Sequence, residues 1–223
     1  MPIQMLKKMM IDLRYFLRDN TINRKLRNSV KNEQVSFISS DCLGGVLYKA
    51  LHRRMDSPTI NMFFSASDFI KFCENMDYYL EQEVVNDEKN RENGPWPIGK
   101  LGDIRLQLVH YKSVEEAAGK WEERKKRIHR DALYFIMNDR NGCTEREIAA
   151  FDALPYEHKV IFTHKPYPQY KCVYCVPGCE QDGFVKIMTS YAGLFTLRRR
   201  YDDFDFAAWI DRGIIQQRRK GSG

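Results

Sequence analysis

VSFISSDCLGGVLYKAL, residues 35–51, is an apolar run that ends in Ser39, Ser40, Asp41 and Cys42 and passes through Gly44-Gly45 into a helical pattern. Val35 to Ser40 reads as a buried strand, and Val46 to Arg54 as the helix that follows it. The same alternation recurs downstream. Thr59 to Phe64, after Pro58, reads as a strand, and Ser65-x-x-Asp68 resembles a capping box opening a helix through Leu80. Asp103 to Tyr111 alternates as a strand with Ile104, Leu106, Leu108 and His110 on one face. Ser113-x-x-Glu116 caps a helix to about Arg130, Leu133 to Met137 is a strand, and residues 138–142 are a turn. Thr144-x-x-Glu147 caps a helix to Leu154, and Lys159 to Thr163 is the last clear strand. Tyr/Pro/Cys-rich residues 164–183 follow, then a strand or helix near 184–190 and a terminal helix around 204–211. Strands alternating with helices predict an α/β fold: a mainly parallel sheet with helices on both faces, in three layers.

At 223 residues the chain is long enough for one large domain, and its composition, 43% hydrophobic and 30% charged, is that of a globular protein. No apolar run approaches the ~20 residues of a membrane span. The N-terminal MPIQMLKKMMIDLRYF lacks the long apolar core and small-residue cleavage site of a signal peptide. Six cysteines without such a signal point to a reducing, cytoplasmic location. Residues 1–32 carry eight Lys/Arg against two Asp/Glu, which equals the +6 of the whole chain. Within them Ile3, Leu6, Met10, Leu13 and Leu17 share one helical face. The organisation expected is a basic amphipathic arm over 1–32, a single domain over 33–220, and a cloning scar at 221–223. The arm packs on the domain or lies on an anionic membrane surface through residues 3–31, which would place the protein peripherally at the membrane's inner face. The charge is too local for a general nucleic-acid binder.

In a parallel sheet, ligands gather beyond the carboxyl ends of the strands. Cys42 stands at such an end, where a helix start stabilises a thiolate, and the amides around Gly44 and Gly45 suit an oxyanion or anion cradle. His110 and Tyr111 follow one expected strand, Thr163 and His164 another. Asp41 or Asp139 would orient a base beside Cys42. Residues 87–100, charged and then Pro/Gly-rich, read as a loop able to cover the cleft. Trp121, Arg124 and Arg127 share a helix, as either a core Trp on a solvated face or an anion site. Cys172, Cys175 and Cys179 lack a fourth ligand at zinc spacing and read as packed thiols rather than a metal site.

The segments FISSDCLGG, SPTINMFFSASDFIKF, WPIGKLGDIRLQLVHYKSVEEAAGKWEERKKRI, FDALPYEHKVIFTH and FDFAAWID resemble a bacterial domain-of-unknown-function family of exopolysaccharide and capsule gene clusters. Some members are labelled exopolysaccharide biosynthesis proteins or acyltransferases. The family usually has Asn where this chain has Asp41, and often an aromatic where it has Leu43. The resemblance implies a transferase that modifies a surface glycan or its lipid-linked precursor, by O-acyl transfer. On this reading Cys42 is the nucleophile, His110 the base and Asp41 its orienter, with oxyanion donors around Gly44 and Gly45. Acetyl-coenzyme A is the donor, Arg124 and Arg127 contact its phosphates, and Ser40, Tyr111, Trp121, Thr163 and His164 line the cleft. The rivals are an ester hydrolase, a non-catalytic glycan- or carrier-binding module, and a glycosyltransferase-like enzyme, although no D-x-D motif supports the last.

Overall fold

The computed structural model describes residues 3–87 and 94–217; residues 88–93 of the expected lid and residues 221–223, expected as a scar, lie outside them. Four strands form a parallel sheet in the order β1 (Ser36–Ser39), β5 (Leu133–Asn138), β6 (His158–Thr163), β7 (Val173–Cys175). Each is buried on both faces, which is why the sequence shows apolar runs there rather than clean alternation. Phe37, Tyr134, Ile136, Val160 and Phe162 point into one core. Ile38, Phe135, Met137 and Ile161 point into the other. The first core is closed by α3 (Leu43–Ala50) and α8 (Phe206–Arg212), through Leu43, Leu47, Tyr48, Trp209 and Ile210. The second is closed by α4 (Ala66–Glu74), α6 (Val114–Lys125) and α7 (Glu145–Ala153), through Phe69, Phe72, Trp121, Ile148 and Phe151. The fold is α/β with helices on both faces of a parallel sheet.

Three helix starts form where the capping residues stand. Ser65 accepts the Asp68 N–H, Ser113 accepts the Glu116 N–H, and Thr144 with Glu147 closes a reciprocal box. The expected helix through Leu80 breaks at Asn75, whose backbone leaves the helical region, and resumes as α5 (Met76–Glu81).

Two expected strands differ. Thr59 to Phe64 forms no regular strand: Asn61 has φ 66°, and only Phe63 bridges, to Gln107. Contact with β1 is made by a side chain instead, the Ser39 N–H donating to Thr59 Oγ1 at 3.0 Å. Residues 103–111 contribute β4 (Ile104–Gln107), which joins β2 (Val84–Asn86) and β3 (Ile98–Leu101) in a separate antiparallel sheet. The β3–β4 hairpin turns on Gly102, at φ 60°. β7 was not anticipated within the Tyr/Pro/Cys-rich stretch.

The N-terminal arm comprises α1 (Ile3–Arg18), a single π-helical turn over 19–23 and α2 (Arg24–Ser29). Among the described residues no helix is long and apolar enough to cross a membrane.

Gly44 lets α3 approach β1. A Cβ there would lie 3.0 Å from the Ser39 Cβ and 3.3 Å from the Phe37 Cβ, atoms fixed to the strand backbone. Alanine gains about 1 kcal/mol in helix propensity, whereas overpacking between two rigid elements costs about 1–3 kcal/mol. Gly44→Ala is therefore expected to lower the urea midpoint; an unchanged or raised midpoint would show that the helix shifts freely.

Candidate functional site

The carboxyl ends of the four parallel strands form one rim, and backbone bonds carry the pairing one residue further. The Ser40 N–H donates to Ile136 O, Asp139 to Phe162 O, and Val176 to Thr163 O, at 2.9, 3.0 and 2.8 Å. Asp41, Asn138, Asp139, Arg140 and His164 are thereby held at the ends of neighbouring strands.

The centre of the rim is the pair of Asp139 and His164. Asp139 Oδ2 lies 2.5 Å from His164 Nδ1 and also accepts the His164 N–H at 2.6 Å. Its Oδ1 accepts the Val185 N–H at 2.7 Å. The Asp139 side chain is 4% exposed and that of His164 15%. A carboxylate only accepts, so Nδ1 carries a proton, and in the neutral ring Nε2 is the nitrogen with the lone pair. No protein partner meets that Nε2 among the described residues. This is the disposition of an oriented general base.

Asp41 extends the network to β1. Its Oδ2 accepts from Asn138 Nδ2 at 2.8 Å, and its Oδ1 accepts the Leu43 N–H at 2.9 Å in an Asx turn that leads into α3. Burial pushes the Asp41 carboxyl up, against the Leu43 amide, the Ser39 hydroxyl and the charge of Arg140. Asn138 Oδ1 in turn accepts the Arg140 N–H at 3.1 Å. The Arg140 guanidinium donates to Val185 O at 3.0 Å and lies over the Phe184 ring. Thr163 is buried beside this network, with its hydroxyl donating to Lys165 O. Ser40 is buried and also holds Phe64, whose N–H donates to Ser40 O at 3.0 Å.

The other expected residues stand in different surroundings. Burial and then the charge of Asp41 push the Cys42 thiol up to about 12, against the lowering charge of Lys49. Gly44 and Gly45 are packing glycines; a Cβ at Gly45 would meet the Ile60 side chain at 3.0 Å. His110 follows β4, on the antiparallel sheet rather than a parallel strand, and is exposed. Tyr111 is a buried strut, donating to Ile60 O and accepting from Arg124, both at 2.8 Å. Arg127 is bonded to Asp56 and Met55 O, so both arginines are engaged within the fold. Those bonds form a hub: burial works to raise the Asp56 carboxyl, but Arg54, Arg127 and His129 hold it below its usual range. Trp121 is fully buried in the core. Cys172 and Cys179 belong to cores on opposite sides of the sheet, which separates two of the three late thiols.

Sequence reasoning placed Asp139 and His164 at strand ends but gave the base to His110. It missed Asn138 and Arg140, read only as a turn, and the contribution of Val185. The signal available was the run of Asn, Asp and Arg at the end of an apolar strand.

The thiol position yields a direct expectation. In the native protein Cys42 should react with iodoacetamide near neutral pH no faster than Cys143, which burial also pushes up to about 12. Selective labelling of Cys42 would restore it as a nucleophile.

A profile for a domain of unknown function (DUF1919) matches residues 14–211. An uncharacterized protein of Haemophilus influenzae is 38% identical over 192 residues, covering 85% of this chain and 90% of that protein. Both spans include the whole rim from Asp41 to His164 within the family match, and the chain belongs to the DUF1919 family.

Proposed function

We propose that the protein is a transferase in which His164, oriented by Asp139, takes the proton from an acceptor hydroxyl. The observation that carries this is the 2.5 Å Asp139–His164 contact at the strand rim, with Nε2 unmet among the described residues. The resemblance to exopolysaccharide and capsule proteins supplies the substrate class, a hydroxyl of a surface glycan or of its lipid-linked precursor. The transferred group on this reading is acyl, with acetyl-coenzyme A as donor. As the acceptor O–H proton passes to Nε2, the oxygen attacks the thioester carbonyl. The C–S bond then breaks, and the departing thiolate takes the proton back from the imidazolium. No acyl-enzyme on Cys42 is needed, in keeping with its raised pKa.

The test is thiol release from acetyl-coenzyme A in the presence of a panel of sugar acceptors. Acceptor-dependent release, retained by Cys42→Ser and lost by His164→Asn, is expected. Release of acetate that is independent of acceptor would make the site a hydrolase. Glycan binding without thiol release from any acceptor would make it a binding module.

A further inference from the structure

Helix α1 displays an apolar arc that no described residue covers. Leu6, Met9, Met10, Leu13, Phe16 and Leu17 are each 41–63% exposed. At 100° per residue they span less than half the helix circumference. The flank adjoining the arc is the one that grips the body. Arg14 donates to Gly193 O at 2.7 Å and to Thr196 O, and its guanidinium lies over the Tyr191 ring. Those bonds fix the 193–196 turn against the helix. At its tip, Leu194 and Phe195 are 78% and 97% exposed. Two segments some 180 residues apart in sequence thus offer apolar side chains on one part of the molecule. A contiguous patch beyond a few hundred Å² is unusual on a monomer.

The charges on the rest of the helix, away from the arc, select its occupant. Lys7 and Lys8 are exposed, and neither takes part in an ion pair among the described residues. Within α1 the acidic residue is Asp12, against Lys7, Lys8, Arg14 and Arg18. Pairing two copies of this helix would bring like charges together, whereas an anionic surface complements them. The helix has 16 residues, about 24 Å at 1.5 Å per residue, too short to span a bilayer but suited to lie in its interface.

We propose that α1 and the 193–196 turn dock the protein on an anionic lipid surface. The Leu6–Leu17 arc and Phe195 enter the boundary between headgroups and acyl chains, while Lys7 and Lys8 meet the headgroups. The rest of the basic arm, residues 19–31, is not part of the contact; Arg27 and Asp19 there are paired with each other. The proposal is independent of the chemistry at His164.

The test is co-sedimentation of the full chain with vesicles of phosphatidylglycerol and phosphatidylethanolamine, and with phosphatidylcholine alone. Binding to the anionic vesicles, weakened by salt, is expected. Leu194→Ser with Phe195→Ser should reduce it about tenfold, because two exposed apolar anchors are lost from a loop tip that the core does not use. Lys7→Glu with Lys8→Glu should reduce it by at least as much. The proposal is overturned if the full chain ignores anionic vesicles or if the loop variant binds as well as the native protein. It is equally overturned if sedimentation equilibrium shows a dimer that Leu13→Ser dissociates, since the arc would then be a self-interface.

Discussion

His164→Asn is expected to lower acceptor-dependent transfer by two to four orders of magnitude, the usual contribution of a positioned general base. Asparagine fits the imidazole's space but offers no lone pair of comparable basicity. Asp139→Asn should fall in the same range for a different reason. The amide that replaces Oδ2 can turn a donor toward Nδ1, so the ring takes the tautomer with its proton on Nε2, where it no longer accepts. The Val185 N–H can still find the remaining amide oxygen, but the His164 N–H then faces an amide donor, so a native circular dichroism spectrum is required before this variant's rate is read. The decisive readout is the pH–rate profile: the limb set by imidazole deprotonation should vanish in His164→Asn, while Cys42→Ser keeps both the limb and the rate. A Cys42→Ser variant that is inactive beside an active His164→Asn would remove the dyad from the mechanism.

The parts of this site that were legible in the sequence are those set by chain-local physics. Ser65, Ser113 and Thr144 announced three helix starts because an N-cap and its partner lie three residues apart or fewer. The doubly buried strands announced a parallel sheet because crossover helices cover both faces. What was not legible depended on pairing. A period-two pattern looks the same whether its partner runs parallel or antiparallel, so residues 103–111 read as a strand of the parallel sheet and His110 as a rim residue. Thr59 makes its contact through a hydroxyl, which no periodicity records. The helix start beside Cys42 was visible, but not the burial and the Asp41 carboxylate that reverse its effect. Asp139 and His164 were both placed at strand ends. Only the adjacency of β5 and β6 joins them across 25 residues of sequence.

The largest stability effect is expected from Arg18, at the point where the N-terminal arm meets the domain. It is 1% exposed, although most of α1 is in solvent. Its guanidinium forks onto Asp202 at 2.6 and 2.7 Å and donates to Leu197 O and Tyr201 Oη. Burial opposes its charge, but the Asp202 bonds more than offset this, and its pKa is raised. Arg18→Ala leaves the Asp202 carboxylate, 9% exposed, without its cation. Removing one partner of a buried pair costs about 3–5 kcal/mol, against about 0–1 kcal/mol for an exposed bridge such as Lys120–Glu123. Arg18→Lys should recover only part of the loss, since an ammonium cannot reproduce the fork. The arm is tied down elsewhere as well: Arg27 donates to Ala50 O at 2.9 Å, and the N–H groups of Lys31 and Asn32 donate to Asp211. A chain begun at Asn32 is therefore expected to lose stability along with any location signal. Urea unfolding of Arg18→Ala and of Lys120→Ala measures the contrast: the first should lower the midpoint markedly and the second barely. Equal, small shifts would mean that the arm rests on the domain without supporting it.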